Sequence, residues 1–509
     1  MLARKNVARE HTLGAPVGGW NARDPLANMD ETDAVMLDNF FPTTGDVVQR
    51  LGQVDHVTSI GDPVESLMVY DSATTTKLFA AAGTDFYDVT SAGSSPSSAV
   101  GSLTNARWQD VNFKTSAGQY LYAVNGADSP RLYDGSSWTA ITGASSPAIT
   151  GVTTTSLVYV AEHVKRLWFV EKDSLSVWYL GASAIGGAAT EFDLGDVFSE
   201  GGYLVAMGSW TIDAGEGMDD HAVFITSKGE VAVYKGIDPS SASTWVKVGT
   251  FKIAPPIGRK CLFAYKGDLI VITRDGFFPM SKALITDREQ SAALSFKIRG
   301  AVQDAVAAYS ANYGWEGLYY SDAPFLLFNI PIGTTGQHQY VMNTTTGAWC
   351  RFKDWDAHCF AVAGDVLYYG STDSVQKAWF GHADGENNIN SDAQQAFSYF
   401  KARAKVKRFM LGRPLLKSSG SPAVSLSMNL DYDETGPASL LSFSGSTAGV
   451  WDTAEWDADV WGGDPTLIKS WHTLGGVGTA AAVRLQIASK GIETRWTATD
   501  ITYEVGGVL

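Results

Sequence analysis

The sequence predicts an all-β fold, in which a β-propeller of six to eight blades lies between an extended N-terminal segment and a C-terminal β-sandwich-like domain. The main observation is a repeat. From Leu78 to Phe380 an apolar run, a tight polar turn and a second apolar run recur roughly every 40 to 57 residues, the size of a propeller blade. Lys-Gly, Asp-Gly and Asn-Gly pairs in the turns tolerate the positive φ that a hairpin reversal needs. Because no helical periodicity separates the runs, the hairpins are expected to form blades around one axis.

The propeller is predicted to span residues 65–385. Each copy of the repeat places two short apolar runs on either side of a turn. The copies lie at 77–87, 120–133, 166–180, 222–234, 268–278, 325–343 and 366–380. Polar stretches at 91–98 and 143–147 interrupt the pattern and are expected to be inserted loops.

Residues 1–64 have no blade-like pattern and predict an ordered, extended segment. Pro42 fixes φ and Gly45 permits a chain reversal, after which an extended run continues to Arg50 and Gly52. A turn between two short strands is therefore expected there.

From Phe397 to Leu509 polar and apolar side chains alternate over longer runs, which predicts a β-sandwich-like domain with bounds 386–509. Lys401, Arg403, Lys405 and Lys407 alternate with small apolar residues, so a strand here would carry four cations on one face. Such a face either contacts an acidic partner surface or DNA, or guards an edge strand against unwanted pairing. Because the chain is acidic, we favour a contact between like subunits.

Three tryptophans in the same region, Trp451, Trp456 and Trp461, follow a five-residue spacing that fits neither a helix nor a strand face. Rings beside carboxylates can bind sugar, and Asp457 with Asp459 could contribute to a calcium site. We favour a looped segment pinned to a sheet by its indole rings, which is also a candidate subunit interface.

A polar insertion at 382–395 separates the propeller from the C-terminal domain. Its composition is that of an exposed loop.

The net charge of −16 argues against general nucleic-acid binding by counterion release. Acidity has another use beside DNA, because a channel lined with carboxylates repels phosphate and lets a duplex slide. The alternative is that the charge only keeps a large protein soluble.

Three cysteines, Cys261, Cys350 and Cys359, are too few for a disulfide framework and fit a protein matured in a reducing cytoplasm. His358 lies between two of them, but no second Cys-x-x-Cys or His pair completes a tetrahedral zinc site. We expect buried, apolar cysteines and no metal or other cofactor. No apolar run approaches the roughly 20 residues of a membrane span, and the N-terminus has no secretion signal, so no membrane segment is expected.

The chain is not expected to be an enzyme. Segments 133–138 and 345–349 loosely resemble the Asp-box turns of sialidases, which are structural even in those enzymes. Sialidase catalysis needs an arginine cluster, a Tyr–Glu pair and an acidic proton donor. The arginines of the repeat region are scattered singly, at Arg107, Arg131, Arg166, Arg259 and Arg274. No serine-hydrolase elbow, P-loop or zinc-protease motif is present.

Both ends of the chain carry a set of short motifs. The N-terminal set is Asn21, Arg23, Asp24, Asp33, Ala34, Leu37, Asn39, Pro42, Gly45, Arg50 and Gly52. The C-terminal set is the Trp451, Trp456 and Trp461 run, Ser470–Trp471, Gly475–Gly476, Arg484–Gln486, Trp496, Asp500–Ile501, Tyr503–Glu504 and Gly506–Gly507. Together these motifs cover about a third of the chain. The order in which they occur, and their occurrence together, resemble the tail nozzle proteins of short-tailed bacteriophages, also called packaged-DNA stabilisation or tail accessory proteins.

The resemblance implies a homo-hexameric, propeller-bearing ring in the virion tail, assembled in the host cytoplasm. Its implied partners are the portal–adaptor connector, tail fibres or spikes, and genomic DNA that passes through the lumen without sequence recognition. No catalytic residues come with the family. Within the 382–395 insertion, Asp384, Glu386, Asn387 and Asn388 are the candidate gate that holds DNA before ejection. A receptor-binding or glycan-degrading tail component that uses the propeller face remains the alternative.

Overall fold

A computed structural model describes residues 8–213, 218–284, 290–333, 336–434, 440–441 and 466–508. Two compact units divide the chain. The first falls within Met1–Val54, Gln339–Asp354 and Ala378–Leu509, and the second within Asp55–His338 and Trp355–Lys377. We refer to them as the β-domain and the propeller. Trp451, Trp456 and Trp461 lie outside the described residues.

The propeller consists of antiparallel sheets that follow one another along the chain. Blades one to four have four strands each: Val64–Asp71, Thr76–Ala82, Asp85–Asp88 and Ser98–Val100; Gln109–Lys114, Gln119–Val124, Arg131–Tyr133 and Trp138–Ala140; Leu157–His163, Arg166–Glu171, Ser176–Tyr179 and Thr190–Asp193; Leu204–Asp213, Met218–Thr226, Glu230–Gly236 and Trp245–Lys252. Blades five to seven follow: Leu262–Tyr265, Asp268–Thr273 and Gly276–Pro279; Glu316–Tyr320 and Phe325–Ile330; Cys359–Ala363, Val366–Gly370 and Val375–Ala378. Short parallel pairings involve Gly93–Ser94 and join Ile149–Thr150 to Gly187–Ala188.

The first strands of the blades form a closed ring. Within the described residues, seven first strands contact one another in chain order, and Cys359–Ala363 of the last blade contacts Val64–Asp71 of the first. A ring closed in this way is a seven-bladed propeller, so the prediction of six to eight blades is confirmed.

The seventh blade takes its outer strand from the N-terminal side of the propeller. Its order from the axis outward is Cys359–Ala363, Val366–Gly370, Val375–Ala378 and then Gln53–Thr58. Hydrogen bonding between the two ends of the repeat array closes the ring and leaves no gap between its last and first blades.

Apolar clusters fill the spaces between neighbouring blades. Phe86 of blade one lies against Trp108, just before blade two, with ring centroids 4.9 Å apart. Between blades three and four, Trp168 stacks on Trp245 at 5.5 Å. Each blade therefore buries its aromatic face only when its neighbour is present, which makes blade packing the main source of propeller stability. The three cysteines are free and buried, as predicted.

Helical segments join blade five to blade six. They are the α-helices Met280–Ala283 and Arg299–Tyr309 and the 3₁₀ turns Gln290–Ala292 and Leu294–Ile298; two further 3₁₀ turns are Leu26–Asn28 and Thr154–Ser156. The helix Arg299–Tyr309 buries Val302, Ala305 and Val306, whose spacing follows one face of a helix. In the described part of the chain no helix is long and apolar enough to cross a membrane.

In the part of the β-domain that the structure describes, the strands form two sheets. The strands of the first are Arg9–Gly14, Phe40–Pro42, Val47–Gln49, Lys405–Ser418, Thr466–Ile468, His472–Gly478 and Thr494–Val508. Those of the second are Gly19–Trp20, Asp33–Asp38, His338–Asn343, Trp349–Phe352, Ile389–Gln395, Ala423–Leu430, Leu440–Leu441 and Ala481–Ser489. The sheets pack against each other so closely that a Cβ atom at Gly412 of the first would lie 3.2 Å from Leu426 of the second.

The predicted domain boundaries need two corrections. Residues 1–64 are not a separate segment, because Arg9–Gly14 pairs with the last strand, Thr494–Val508, and Asp33–Asp38 pairs with Ile389–Gln395. The C-terminal domain is not confined to 386–509 either, since it also takes up Gln339–Asp354 from within the repeat region. Strand pairing between the two chain ends, rather than order along the chain, defines this domain.

The 382–395 insertion is only in part the exposed loop that its composition predicts. Residues 385–388 are exposed, whereas Ile389–Gln395 is a mostly buried strand between Asp33–Asp38 and Ala481–Ser489. Its polar side chains are accommodated by hydrogen bonds: Ser391 Oγ donates to the Asn39 carbonyl at 3.0 Å.

Candidate functional site

The side chain of Arg50 is the centre of the candidate site. It is fully buried and forms an ion pair with Asp384, whose side chain is 6% exposed, at 2.7 Å. Its Nε donates to Asn39 Oδ1 at 2.9 Å, Nη1 to the Leu51 carbonyl and Asp384 Oδ1, and Nη2 to the Lys353 carbonyl and Asp384 Oδ2. A guanidinium has five N–H donors, so every one of them has a partner here.

Asn39 supports this ion pair from an unusual backbone conformation. Its φ is 56°, in the left-handed region that asparagine tolerates better than most residues. Asn39 Oδ1 also accepts from the Lys353 amide at 2.8 Å, and Asn39 Nδ2 donates to the Asn390 carbonyl at 2.8 Å. The left-handed turn thus aims one side chain at three separate segments of the β-domain.

Gly52 brings the backbone of the N-terminal region against the insertion. Its amide donates to the Gly381 carbonyl at 3.0 Å, and the Gln53 amide donates to the Ala383 carbonyl at 2.9 Å. A Cβ atom at Gly52 would lie 1.8 Å from the Ala383 carbonyl oxygen, so only glycine fits.

Beyond this junction the insertion forms a short turn, residues 384–388, which we call the anchored turn. Asp384 and Asn387 exchange backbone hydrogen bonds of 3.1 and 2.9 Å, and the Gly385 amide donates to the Gln53 carbonyl at 2.9 Å. Glu386, at the tip, is 94% exposed and pairs with Lys490 at 2.5 Å; this hydrogen bond lowers the pKa of Glu386. Asn387 and Asn388 are exposed as well. The turn therefore combines a buried charged base with a solvated polar tip.

Two of the predicted sets meet at this site. Asn39, Arg50 and Gly52 come from the N-terminal motifs, and Asp384 comes from the candidate gate, 334 residues after Arg50. The ion pair between the two sets had no local sequence signal, because the paired residues are distant along the chain.

The other members of the N-terminal set form a turn beside the site. Pro42 ends strand Phe40–Pro42 as expected, and its carbonyl accepts from Asn343 Nδ2 at 2.9 Å. Gly45 does not have the special role predicted for it, since its φ is not positive and the space around it is open. The reversal is held by Thr43, whose Oγ1 donates to Asp46 Oδ1 at 2.5 Å.

The prediction of four cations on one strand face is wrong. Lys401 and Arg403 lie in a turn before the strand, which begins at Lys405. Lys407 is fully buried, and its Nζ donates to the carbonyls of Ala402, Lys405 and Thr479 at 2.7, 3.0 and 2.7 Å.

Burial lowers the pKa of Lys407, although Asp431 acts in the opposite direction. The exposed cations are instead Lys401, Arg403, Lys405 and Arg408. They still form a basic patch, but on a turn and a strand start.

Around the propeller axis lies a second group of buried charges. Lys260 Nζ pairs with Glu316 Oε2 at 2.9 Å, and burial raises the pKa of Asp110, on the first strand of blade two, to about 6. Tyr313 fills the adjoining space, since its hydroxyl donates to the Glu65 carbonyl at 3.2 Å. Charged and aromatic side chains from several blades therefore meet here, and some of them line a cavity.

Comparisons with known proteins assign no family. No protein-family model matches the sequence, and no curated protein matches it. Solved structures that match include YCF48 bound to a D1 peptide, with a TM-score of 0.36 and 11% identity over 64% of this chain and 94% of that one. They also include Raptor of Chaetomium thermophilum, with a TM-score of 0.38 and 12% identity over 65% of this chain and 28% of that one. At these TM-scores the likeness carries no argument, and the propeller fold rests on the closed ring of first strands.

Proposed function

We propose that this chain is a structural protein of the tail of a short-tailed bacteriophage, where six copies form the nozzle ring below the portal and adaptor. In this role it retains packaged DNA and conducts it during ejection, without recognising its sequence. Tail fibres or spikes are its other partners, and assembly takes place in the host cytoplasm.

The observation that carries the proposal is the convergence of the motifs from both chain ends in the β-domain. Asn39 and Arg50 of the N-terminal set form one buried network with Asp384. Arg484 of the C-terminal set pairs with Asp392 at 2.7 Å, on the strand that follows the anchored turn. The nozzle resemblance therefore concerns residues that build one domain together.

The anchored turn has the structure expected of an element that retains DNA in the channel. A small exposed tip can contact DNA or a neighbouring turn, while the buried Arg50–Asp384 pair fixes its base. Because Glu386 at the tip is paired with Lys490 and the neighbouring Asn387 and Asn388 are neutral, the tip offers phosphate no free cation, which favours a hold by obstruction over adhesion.

The conduit is proposed to run along the axis of the ring of six copies. A net negative lumen follows from the charge of −16 per chain, and it disfavours adhesion of a duplex under pressure.

Genome retention tests the role of the anchored turn. Triple substitution of Glu386, Asn387 and Asn388 by Ala removes the tip side chains and leaves the backbone hydrogen bonds and the Arg50 ion pair in place. Particles with this variant should assemble but lose DNA on storage or mild heating. The matched control replaces Thr74 and Thr75, in an exposed propeller turn, by Ala. If both kinds of particle keep their genomes equally well, the gate lies elsewhere.

Charge reversal tests the subunit contact. Lys401, Arg403 and Lys405 are exposed, so replacing all three by Glu should leave the monomer folded and block its incorporation into tails. Lys407 is left unchanged because its substitution would disturb the fold. Normal incorporation of the triple variant would show that these cations only guard the strand edge.

One observation favours a second candidate function, a receptor-binding or glycan-degrading tail component. The propeller has a cavity of about 360 Å³ at one end of its axis, lined by Arg107, Glu65 and Tyr313 among others. A receptor-binding protein is more often trimeric, whereas a nozzle forms a ring with an axial hole, so the mass of the purified assembly separates the two.

A further inference from the structure

The axial cavity of the propeller has the size and lining of a small-molecule site. Its volume of about 360 Å³ lies in the range of about 300–1,000 Å³ that single ligands occupy. Pro63, Pro331 and Tyr313 supply apolar walls, and Glu65, Arg107 and Gln337 supply polar groups.

The wall beside Tyr313 is held in place before any ligand arrives. The Arg107 guanidinium carbon lies 4.5 Å from the centre of the Tyr313 ring, and the Tyr313 hydroxyl reaches the Glu65 carbonyl at 3.2 Å. A site whose side chains are fixed in advance loses little conformational freedom when it binds.

Gln337 gives the clearest sign of a missing partner. It is only 2% exposed, and its Nε2 donates to the Gly333 carbonyl at 2.8 Å. Its Oε1 is buried and accepts no hydrogen bond from the described residues. Buried polar atoms are nearly always paired, so this oxygen is an unpaired acceptor in the cavity wall, which a ligand donor reaches once the side chain turns toward the cavity.

The Glu65–Arg107 pair has unused hydrogen-bonding capacity next to it. Arg107 Nε and Nη2 both donate to Glu65 Oε1 at 3.0 Å. Among the described residues, Glu65 Oε2 and Arg107 Nη1 have no partner. The cavity mouth thus presents an acceptor and a donor side by side on a pair with no net charge.

We propose that this cavity binds a neutral polyhydroxylated ligand, a single hexopyranose unit of a glycan. Hydroxyl groups both donate and accept, so adjacent hydroxyls can bond to Glu65 Oε2 and Arg107 Nη1, and a third can donate to Gln337 Oε1 after that side chain turns toward the cavity. The apolar face of the sugar ring packs on the proline and tyrosine wall. An anionic sugar is disfavoured, because Glu65 faces the ligand and Arg107 is already neutralised by it.

Titration of the full-length protein with methyl glucoside, methyl galactoside, methyl mannoside and N-acetylglucosamine, followed by calorimetry and ligand-observed NMR, tests the proposal. At least one of these should bind saturably at millimolar concentrations, and glucuronate should bind more weakly. Arg107→Ala should weaken binding about tenfold or more, because it removes charged hydrogen bonds. Lys77→Ala, which breaks an exposed ion pair of blade one, should change nothing.

Gln337→Leu tests the acceptor. It keeps the volume but removes Oε1 and also the Nε2 hydrogen bond to the Gly333 carbonyl, so the melting temperature should fall slightly, and sugar binding measured well below it should fall as well. Saturable binding of none of the four sugars, preference for glucuronate, or binding unaffected by Arg107→Ala would each overturn the proposal. The experiment needs no ring and no DNA, so its failure would leave the nozzle proposal standing.

Discussion

Removing one partner of the Arg50–Asp384 ion pair should destabilise the β-domain strongly. Asp384→Asn keeps the side-chain shape and removes the negative charge, leaving a fully buried guanidinium without its counter-charge. It also places an amide N–H₂ where Asp384 accepts from Arg50 Nη1 and Nη2. Breaking a buried pair from one side typically costs about 3–5 kcal/mol. We expect a loss of about 3 kcal/mol, since Arg50 keeps its bonds to the Asn39 side chain and to two carbonyls.

A double-mutant cycle measures the pair itself. Arg50→Met should cost a similar amount, because it leaves the carboxylate buried, while the double variant Arg50→Met/Asp384→Leu should recover part of the loss. Urea unfolding gives the free energies, and hydrogen exchange at the Gly52 and Gln53 amides reports the junction directly. Lys77→Ala is the control, since an exposed ion pair contributes at most about 1 kcal/mol.

Two results would refute this reasoning. The first is an Asp384→Asn protein whose unfolding free energy lies within about 1 kcal/mol of the parent's, because breaking a buried pair should cost more than that. The other is a cycle with no interaction energy, which would mean that Arg50 and Asp384 contribute independently.

Three further predictions concern single residues. Gly52→Ala should cost about 2–3 kcal/mol of unfolding free energy, because the new methyl group overlaps a carbonyl oxygen, whereas Gly45→Ala, in open space, should change it by less than about 0.5 kcal/mol. Lys407→Met leaves three part-buried carbonyls without their donor and should lower the unfolding free energy by about 2 kcal/mol; Lys405→Met, at an exposed position, is the matched control and should be nearly neutral. The pKa of Asp110 is raised from 3.8 to about 6, so its contribution to propeller stability is present below about pH 4 and is lost as pH rises to 6. Relative to Asp110→Asn, the parent should therefore lose up to about 3 kcal/mol over that interval, as measured by unfolding across pH, and a constant difference would contradict the assignment.

The blades could be predicted because their signals are local. In blade five, strands Asp268–Thr273 and Gly276–Pro279 meet across an Asp-Gly turn that the sequence shows directly. The pairing of Gln53–Thr58 with the last blade could not be predicted in this way. It joins segments far apart in the chain, and no short motif encodes such a pairing.

Polar composition misled the prediction at strand Ile389–Gln395. Its glutamines are buried, and distant partners offset part of the cost: Asn429 Nδ2 donates to Gln394 Oε1 at 2.9 Å, and Gln395 Nε2 donates to the Gly14 carbonyl at 2.5 Å. The burial of Lys407 has the same cause, since carbonyls from two segments replace its water. A sequence read for average polarity assigns such residues to the surface.

Helix Arg299–Tyr309 was also missed, although a signal for it was present. Val302, Ala305 and Val306 follow helical spacing, but the surrounding β repeat made a helix unexpected.

The most direct test of the nozzle account is electron microscopy of purified particles, with the parent chain and with its gene disrupted. Six copies of this chain are expected around the tail axis below the adaptor, enclosing an axial hole. Without the chain, heads should fill and then lose their DNA. Three copies at the periphery of the tail, or stable DNA-filled particles that lack the chain, would contradict the account.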